Sequence, residues 1–292
     1  VEFLREQAVE LDDIYRGNGR SGWTQLKRDA GLPPGEASAG QDRLGRRLAD
    51  LLHLDEFERI DQLMQVSEAR ADYRVHTPRQ QRLLQMLAYQ IEAAGTQACS
   101  AEAFLARLTQ YPELCDELGE LAQVLSSRPL KPATPIPGLE DTPLSLHASY
   151  GIREILTAVG WLTAERRTPF QAGVLALHER QVELLFITLD KRDGYHERIA
   201  YHDYAISPER FHWQSQNAAG PETRAGHRYL HSPGNGWRFQ LFVRSKKGAP
   251  YQACGPVTLE RAEGSKPMTI YWRLERPLPV RLYQEFSVLR DA

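Results

Sequence analysis

Cysteine is scarce: the 292 residues hold three, Cys99, Cys115 and Cys254, odd in number and scattered. That excludes a disulfide scaffold, supplies no Cys-x-x-Cys or zinc-type spacing, and fits a reducing cytoplasm, where the protein is expected to reside. No uninterrupted apolar stretch approaches the roughly 18 residues that a membrane span needs, so no membrane partner is expected. The chain opens Val1-Glu2-Phe3 with no apolar run behind a basic start, so no secretory signal is expected. An initiator Met is also missing, which suggests a fragment of a longer polypeptide. A Gly-x-x-x-x-Gly-Lys-Ser/Thr loop does not occur, which excludes P-loop nucleotide binding, and a Gly-x-Ser-x-Gly nucleophile elbow does not occur either. No cofactor, metal or catalytic residue is therefore expected, and the chain is read as a non-enzyme.

What is present divides in two. Residues 1–143 hold 16 Lys/Arg against 23 Asp/Glu and residues 144–292 hold 20 against 15, balances of −7 and +5 within a net charge of −2. Four of the five tryptophans also lie after residue 143. An acidic half joined to a basic, aromatic-rich half points to a polyanion partner for the second half alone.

The first half reads as a helical bundle over 1–127. Apolar residues recur at helical period at Leu44, Leu48, Leu51, Leu52, Ile60, Leu63 and Met64, then at Leu83, Leu84, Leu87 and Ile91, then at Leu114, Leu118, Leu121 and Leu125. Pro112 stands near the first position of the last helix, where proline is favoured. Ser21–Leu32 reads as a packing helix, with part of a helix-turn-helix as the alternative. Four prolines between Arg128 and Gly138 make 128–143 an extended connector. Residues 144–292 read as a mainly β domain of barrel type after a helix at about 151–159. Strands are expected at Glu183–Leu189, Arg198–Tyr204, Phe239–Arg244 and Thr269–Leu274. The fold class is thus α+β.

Three constellations carry possible chemistry. His227 and His231 have zinc-type spacing, yet they flank a Gly/Pro-rich turn where convergence is not guaranteed. Glu183 with Asp190-Lys191 resembles a metal-dependent nuclease core, although acids and bases at strand ends are common on any surface. The densest segment is YHDYAISPERFHWQSQN, residues 201–217. Aromatics can stack on bases and Asp, Gln and Asn can read their edges; the alternative is a strand and turn with buried aromatics.

That segment, followed by GHRYLH, FQLFVR, YQACGPV and SKPMTIYWRLERPLP, closely resembles a domain of unknown function that closes many bacterial superfamily-2 (DEAD/DEAH-type) helicases. These include type IV, modification-dependent restriction enzymes of antiviral defence. The resemblance covers about 144–292, while WTQLKRDAGL and RLGRRLADLLHL resemble the linker that precedes that domain. It implies that the motor and nuclease lie elsewhere in the same polypeptide. It further implies a fold similar to SET- and RING-associated (SRA) domains, binding double-stranded DNA and flipping a methylated cytosine into an aromatic pocket.

On strand alternation, Tyr201 and Asp203 would share one face with His202 and Tyr204 on the other, and Phe211, Trp213 and Ser215 would share a face of the later segment. The base pocket is expected from Tyr201, Asp203, Trp213, Gln214 and Ser215, or from His202 and Tyr204 if the other face looks into the cleft. Phe211 is assigned to the core. Arg210, Gln216, Arg224, Arg228, Arg244, Lys246 and Lys247 are the expected DNA-backbone contacts. The alternative function is a module that packs on the motor and binds DNA weakly or not at all.

Overall fold

The computed structural model describes residues 6–16, 22–33, 38–92, 100–163, 165–166, 170, 173–190 and 203–287. The chain forms two compact units that exchange segments. The first holds residues 1–133, 141–143 and 150–169, and the second holds 134–140, 144–149 and 170–292.

The first unit is helical. It contains α1 (Leu11–Tyr15), α2 (Gly22–Asp29), α3 (Ala39–Gly45), α4 (Phe57–Ala69), α5 (Pro78–Ile91), α6 (Ala101–Leu108), α7 (Pro112–Ser126) and α8 (Ile152–Ala158). The stripe from Leu44 to Met64 is divided among α3, a 3-10 turn at Leu48–Leu51, and α4. Pro78 and Pro112 open their helices, and α5 adds a capping box in which Thr77 and Gln80 satisfy each other's backbone N–H groups. Ile60, Leu63 and Val66 of α4 and Leu114, Leu118, Leu121 and Leu125 of α7 are buried in one core. The helix-turn-helix candidate is α2, whose Trp23 and Thr24 amides donate to the buried Glu117 carboxylate of α7 at 2.8 and 3.1 Å.

A polar cluster lies inside this unit. Arg59, 5% exposed, donates to Glu154 and Glu56, and its guanidinium covers the Tyr150 ring at 4.5 Å. The Tyr150 hydroxyl donates to Glu56 at 2.5 Å, and His53 Nε2 meets Glu154 at 2.6 Å. Burial alone would raise the Glu154 pKa, but Arg59, His53 and the Gly151 amide outweigh it and hold the carboxyl at about 2.

The second unit is built on one mixed sheet. The two-residue β1 (Ser149–Tyr150) straddles the division, and the strands wholly within the second unit are β2 (Val174–Leu177), β3 (Val182–Asp190), β4 (Tyr204–Ser207), β5 (Arg210–Gln214), β6 (Arg238–Lys246), β7 (Tyr251–Glu263) and β8 (Thr269–Leu274). The order is β2-β3-β6-β7-β8-β5-β4, with β1 joining at β7 off this path. Along that path pairing is antiparallel except between β3 and β6. The sheet does not close, which corrects the expected barrel. Its end strands β2 and β4 have four residues each, and the β4–β5 register slips between Ala205 and Ser207. Residues 198–202 of the expected strand at Arg198–Tyr204 lie outside the described residues.

Two helices, α9 (Arg224–Leu230) and α10 (Val280–Phe286), contribute Tyr229, Leu282 and Phe286 to the core around Trp272, Phe239 and Phe211. β7 runs through Gly255-Pro256. Gly255 has φ +86°, and a Cβ there would lie 2.4 Å from Leu146 Cδ1, so the strand continues only with glycine. In the described residues, no helix is long and apolar enough to cross a membrane.

Candidate functional site

A cleft of about 510 Å³ opens in the second unit. β3 supplies Phe186, Ile187 and Thr188, the β6–β7 hairpin supplies Arg244, Lys247 and Tyr251, and β5 with the chain after it supplies Trp213, Gln214, Ser215, Gln216 and Asn217. Asp203, just before β4, and Gly173 with Val174 complete the wall. Three strands separate β3 from β5 in the sheet order, so the sheet must curl for both to line one cavity. Residues from 203–217 and from 244–247, distant in sequence, therefore meet.

The fixed parts are well bonded. Asp203 is 4% exposed, and its Oδ1 accepts the Gln214 amide at 2.8 Å. Ser215 clamps the end of β5: its hydroxyl donates to Ala219 O at 3.0 Å and accepts the Met268 amide at 2.9 Å. Trp213 is 5% exposed and packs against Tyr229 and Trp272, with ring centroids at 5.5 and 6.2 Å. It forms the floor of the cleft from within the core rather than a free-standing stacking plane.

The other wall is built around Arg244. Its Nε donates to Thr188 Oγ1 at 2.8 Å, and its guanidinium lies 4.6 Å from the Tyr251 ring centroid. Burial pushes the Tyr251 phenol up from its usual range, while Arg244 and the Thr188 hydrogen bond pull it back. Gln216 and Asn217 are exposed at the cleft, Gln214 is half-buried there, and Lys247 is exposed. The arrangement offers an apolar floor, a guanidinium–phenol wall and several amide groups, which together suit a flat, polar-edged ligand.

The remaining expected residues lie elsewhere. Tyr204 alternates away from the cleft and stacks on His212, with centroids at 4.8 Å. Tyr201 and His202 lie outside the described residues. Arg228 is 17% exposed and pairs through Nε with Glu183 Oε2 at 2.7 Å, below the Trp237 ring at 4.8 Å. Arg210 pairs with Glu260 at 2.6 Å on the surface. Arg224, on α9, and Lys246, at the end of β6, are exposed and do not line the cleft. Phe211 is fully buried in the core.

The nuclease-like acid Glu183 is fully buried and accepts from both Arg228 and the Tyr229 hydroxyl, the latter at 2.8 Å. Burial, then Glu183, raises the Tyr229 pKa. His227 and His231 do converge, on α9 and its C-terminal cap, with rings stacked at 5.2 Å. No group of three or more His, Cys, Asp or Glu suited to a metal occurs among the described residues.

Sequence reasoning missed Phe186, Ile187, Thr188, Val174 and Tyr251. Only Tyr251 left a signal, since Arg244 and Tyr251 flank the Lys247-Gly248 turn of a hairpin. A search of curated proteins finds no match to the chain. Among protein families, residues 144–286 match the model of a domain of unknown function, DUF3427.

Proposed function

We propose that the second unit is a DNA-recognition module, SRA-like in its curled sheet, which takes a flipped modified cytosine of duplex DNA into the cleft. The observation that carries this reading is the convergence of Asp203, Trp213, Gln214, Ser215, Gln216, Arg244 and Lys247 on one cavity. A flipped base needs apolar surface against its faces and polar groups at its edge. Here Trp213, Tyr251 and Phe186 supply the first, and Gln214, Gln216 and Asn217 the second. Arg244 and Lys247 supply positive charge for the flanking phosphates. In the full polypeptide the module would serve a helicase motor and nuclease of a restriction system.

A second reading, a module that packs on the motor and binds DNA weakly, is favoured by the pairing of Arg228, 17% exposed, with the fully buried Glu183. Gel-shift titration of the chain with 5-methylated, 5-hydroxymethylated and plain duplexes separates the two. The reader should bind a modified duplex more tightly, and Gln214→Ala should erode that preference. Equal affinity for all three duplexes would refute base reading, and no binding at low salt would favour the second reading. Adding magnesium or manganese to the same samples tests for a nuclease.

A further inference from the structure

The sheet face opposite the Trp272 core carries two parallel rows of side chains that the cleft does not use. Strand register places Arg261, Tyr271, His212 and Tyr204 in one row across β7, β8, β5 and β4. Arg261 lies 4.2 Å from the Tyr271 ring centroid, Tyr271 meets His212 edge-on at 5.2 Å, and His212 stacks on Tyr204 at 4.8 Å and 18°. One pleat along the same strands, Thr258, Arg273, Arg210 and Ser207 form the second row. The rings are half-buried, whereas Arg210, Arg261 and Arg273 are exposed.

We propose that this face binds single-stranded nucleic acid, with bases stacking along the aromatic row and phosphates running beside the arginine row. The rows are planar and cationic, and the aliphatic side chain beside them is Ile206 of β4, 39% exposed between Tyr204 and Ser207. The surface pairs planar groups with cations, the combination by which single strands are held without sequence preference. The rings are fixed by their neighbours and lose little rotamer freedom on binding. Bases can stack on the rings or on the guanidinium plane of Arg261.

Arginines line the rings. The three arginines face Glu260 and Glu263, paired with Arg210 and Arg261 at 2.6 and 3.1 Å, and Glu209, whose Oε2 accepts from Ser207 Oγ of the second row at 3.0 Å. Those arginines are 53% and 59% exposed, so the pairs are weakly held and can be exchanged for phosphate. Arg273 has no acidic partner among the described residues. Duplex bases hide their faces in the stack, so this surface suits an unpaired strand. The inference does not depend on what the cleft binds.

The test is fluorescence anisotropy of the full chain with a labelled oligothymidylate of about 15 nucleotides, near the upper site size of single-strand binders. Tyr271→Thr, which keeps a β-branched residue in the strand, should weaken binding about 5- to 150-fold. The exposed pair Arg210→Ala with Arg273→Ala should flatten the salt slope by about 1.4, at roughly 0.7 per phosphate contact. Arg46→Ala, an exposed arginine of the helical unit, should leave oligothymidylate binding unchanged. No binding at low salt, an unaltered slope in the double arginine variant, or equal loss in all variants would each overturn the proposal. If Tyr271→Thr does not fold, the arginine pair decides alone. Oligothymidylate binding that persists when duplex binding is absent would refute the cleft reading and leave this one standing.

Discussion

Glu154→Gln removes one charge from the buried cluster while keeping the side chain's shape, so it isolates the electrostatics. The carboxyl is held at about 2 in the folded chain, against an ordinary value near 4.5. That difference, at about 1.36 kcal/mol per pKa unit, is worth roughly 3 kcal/mol at neutral pH. Because the folded pKa is the lower one, the stabilisation is fully present above about pH 4.5 and is lost as pH falls through about 2. Near pH 3 roughly 1.4 kcal/mol of it should survive. Urea unfolding followed by far-ultraviolet circular dichroism, which weights the helical unit, measures this for both chains. The glutamine variant should be less stable than the parent by about 3 kcal/mol near pH 7, with the gap at least halved near pH 3. A gap that did not change with pH would show that Glu154 contributes packing alone, and the ion-pair account of this cluster would fail.

Three further outcomes follow from individual contacts. Arg244→Ala and Lys247→Ala should each flatten the salt dependence of duplex binding by about one unit, as read from titrations over a salt series. Slopes equal to the parent's would remove them from the interface. Trp213→Ala should lower stability by about 3–5 kcal/mol in thermal or chemical unfolding, because the ring is core before it is floor; a change under about 1 kcal/mol would contradict its packing against Tyr229 and Trp272. Glu183→Gln should destabilise strongly, since it strips Arg228 of its buried partner, and metal-dependent DNA cleavage lost without loss of stability would instead mark Glu183 as catalytic.

The helices α5 and α7 were legible because leucine periodicity and an N-terminal proline mark them, and β8 because its apolar and polar residues alternate without interruption. β7 was hidden by Gly255-Pro256, two residues that ordinarily end a strand; here they serve a close approach to Leu146. α9 was hidden in the same way, by Gly226 within it and Gly220-Pro221 before it. A Cβ at Gly226 would lie 1.9 Å from Gly220 O, so packing of the helix start against that loop selects the glycine. In the cleft, the 203–217 side was visible as a cluster of aromatics and amides. The β3 side was not, because Phe186, Ile187 and Thr188 look like ordinary strand residues until the sheet curls them towards β5. The openness of the sheet was not legible either, since strand count and spacing do not say whether the end strands pair.

The exchange of segments between the two units has a consequence for biosynthesis. The first unit includes residues 150–169, and the second claims 134–140 and 144–149 before them. A ribosome therefore releases the start of the sheet unit before the helical unit has its last helix, α8. The Arg59 cluster cannot assemble until Tyr150 and Glu154 have left the exit tunnel, so an emerging chain holds Arg59 without its full set of acids. Nascent-chain stalling should find the helical unit protease-resistant only after residue 169 has emerged, rather than at the end of α7. A gene that began at residue 144 would likewise yield a sheet without Ile136, Leu139 and the Pro137 carbonyl that accepts from Gln240 Nε2.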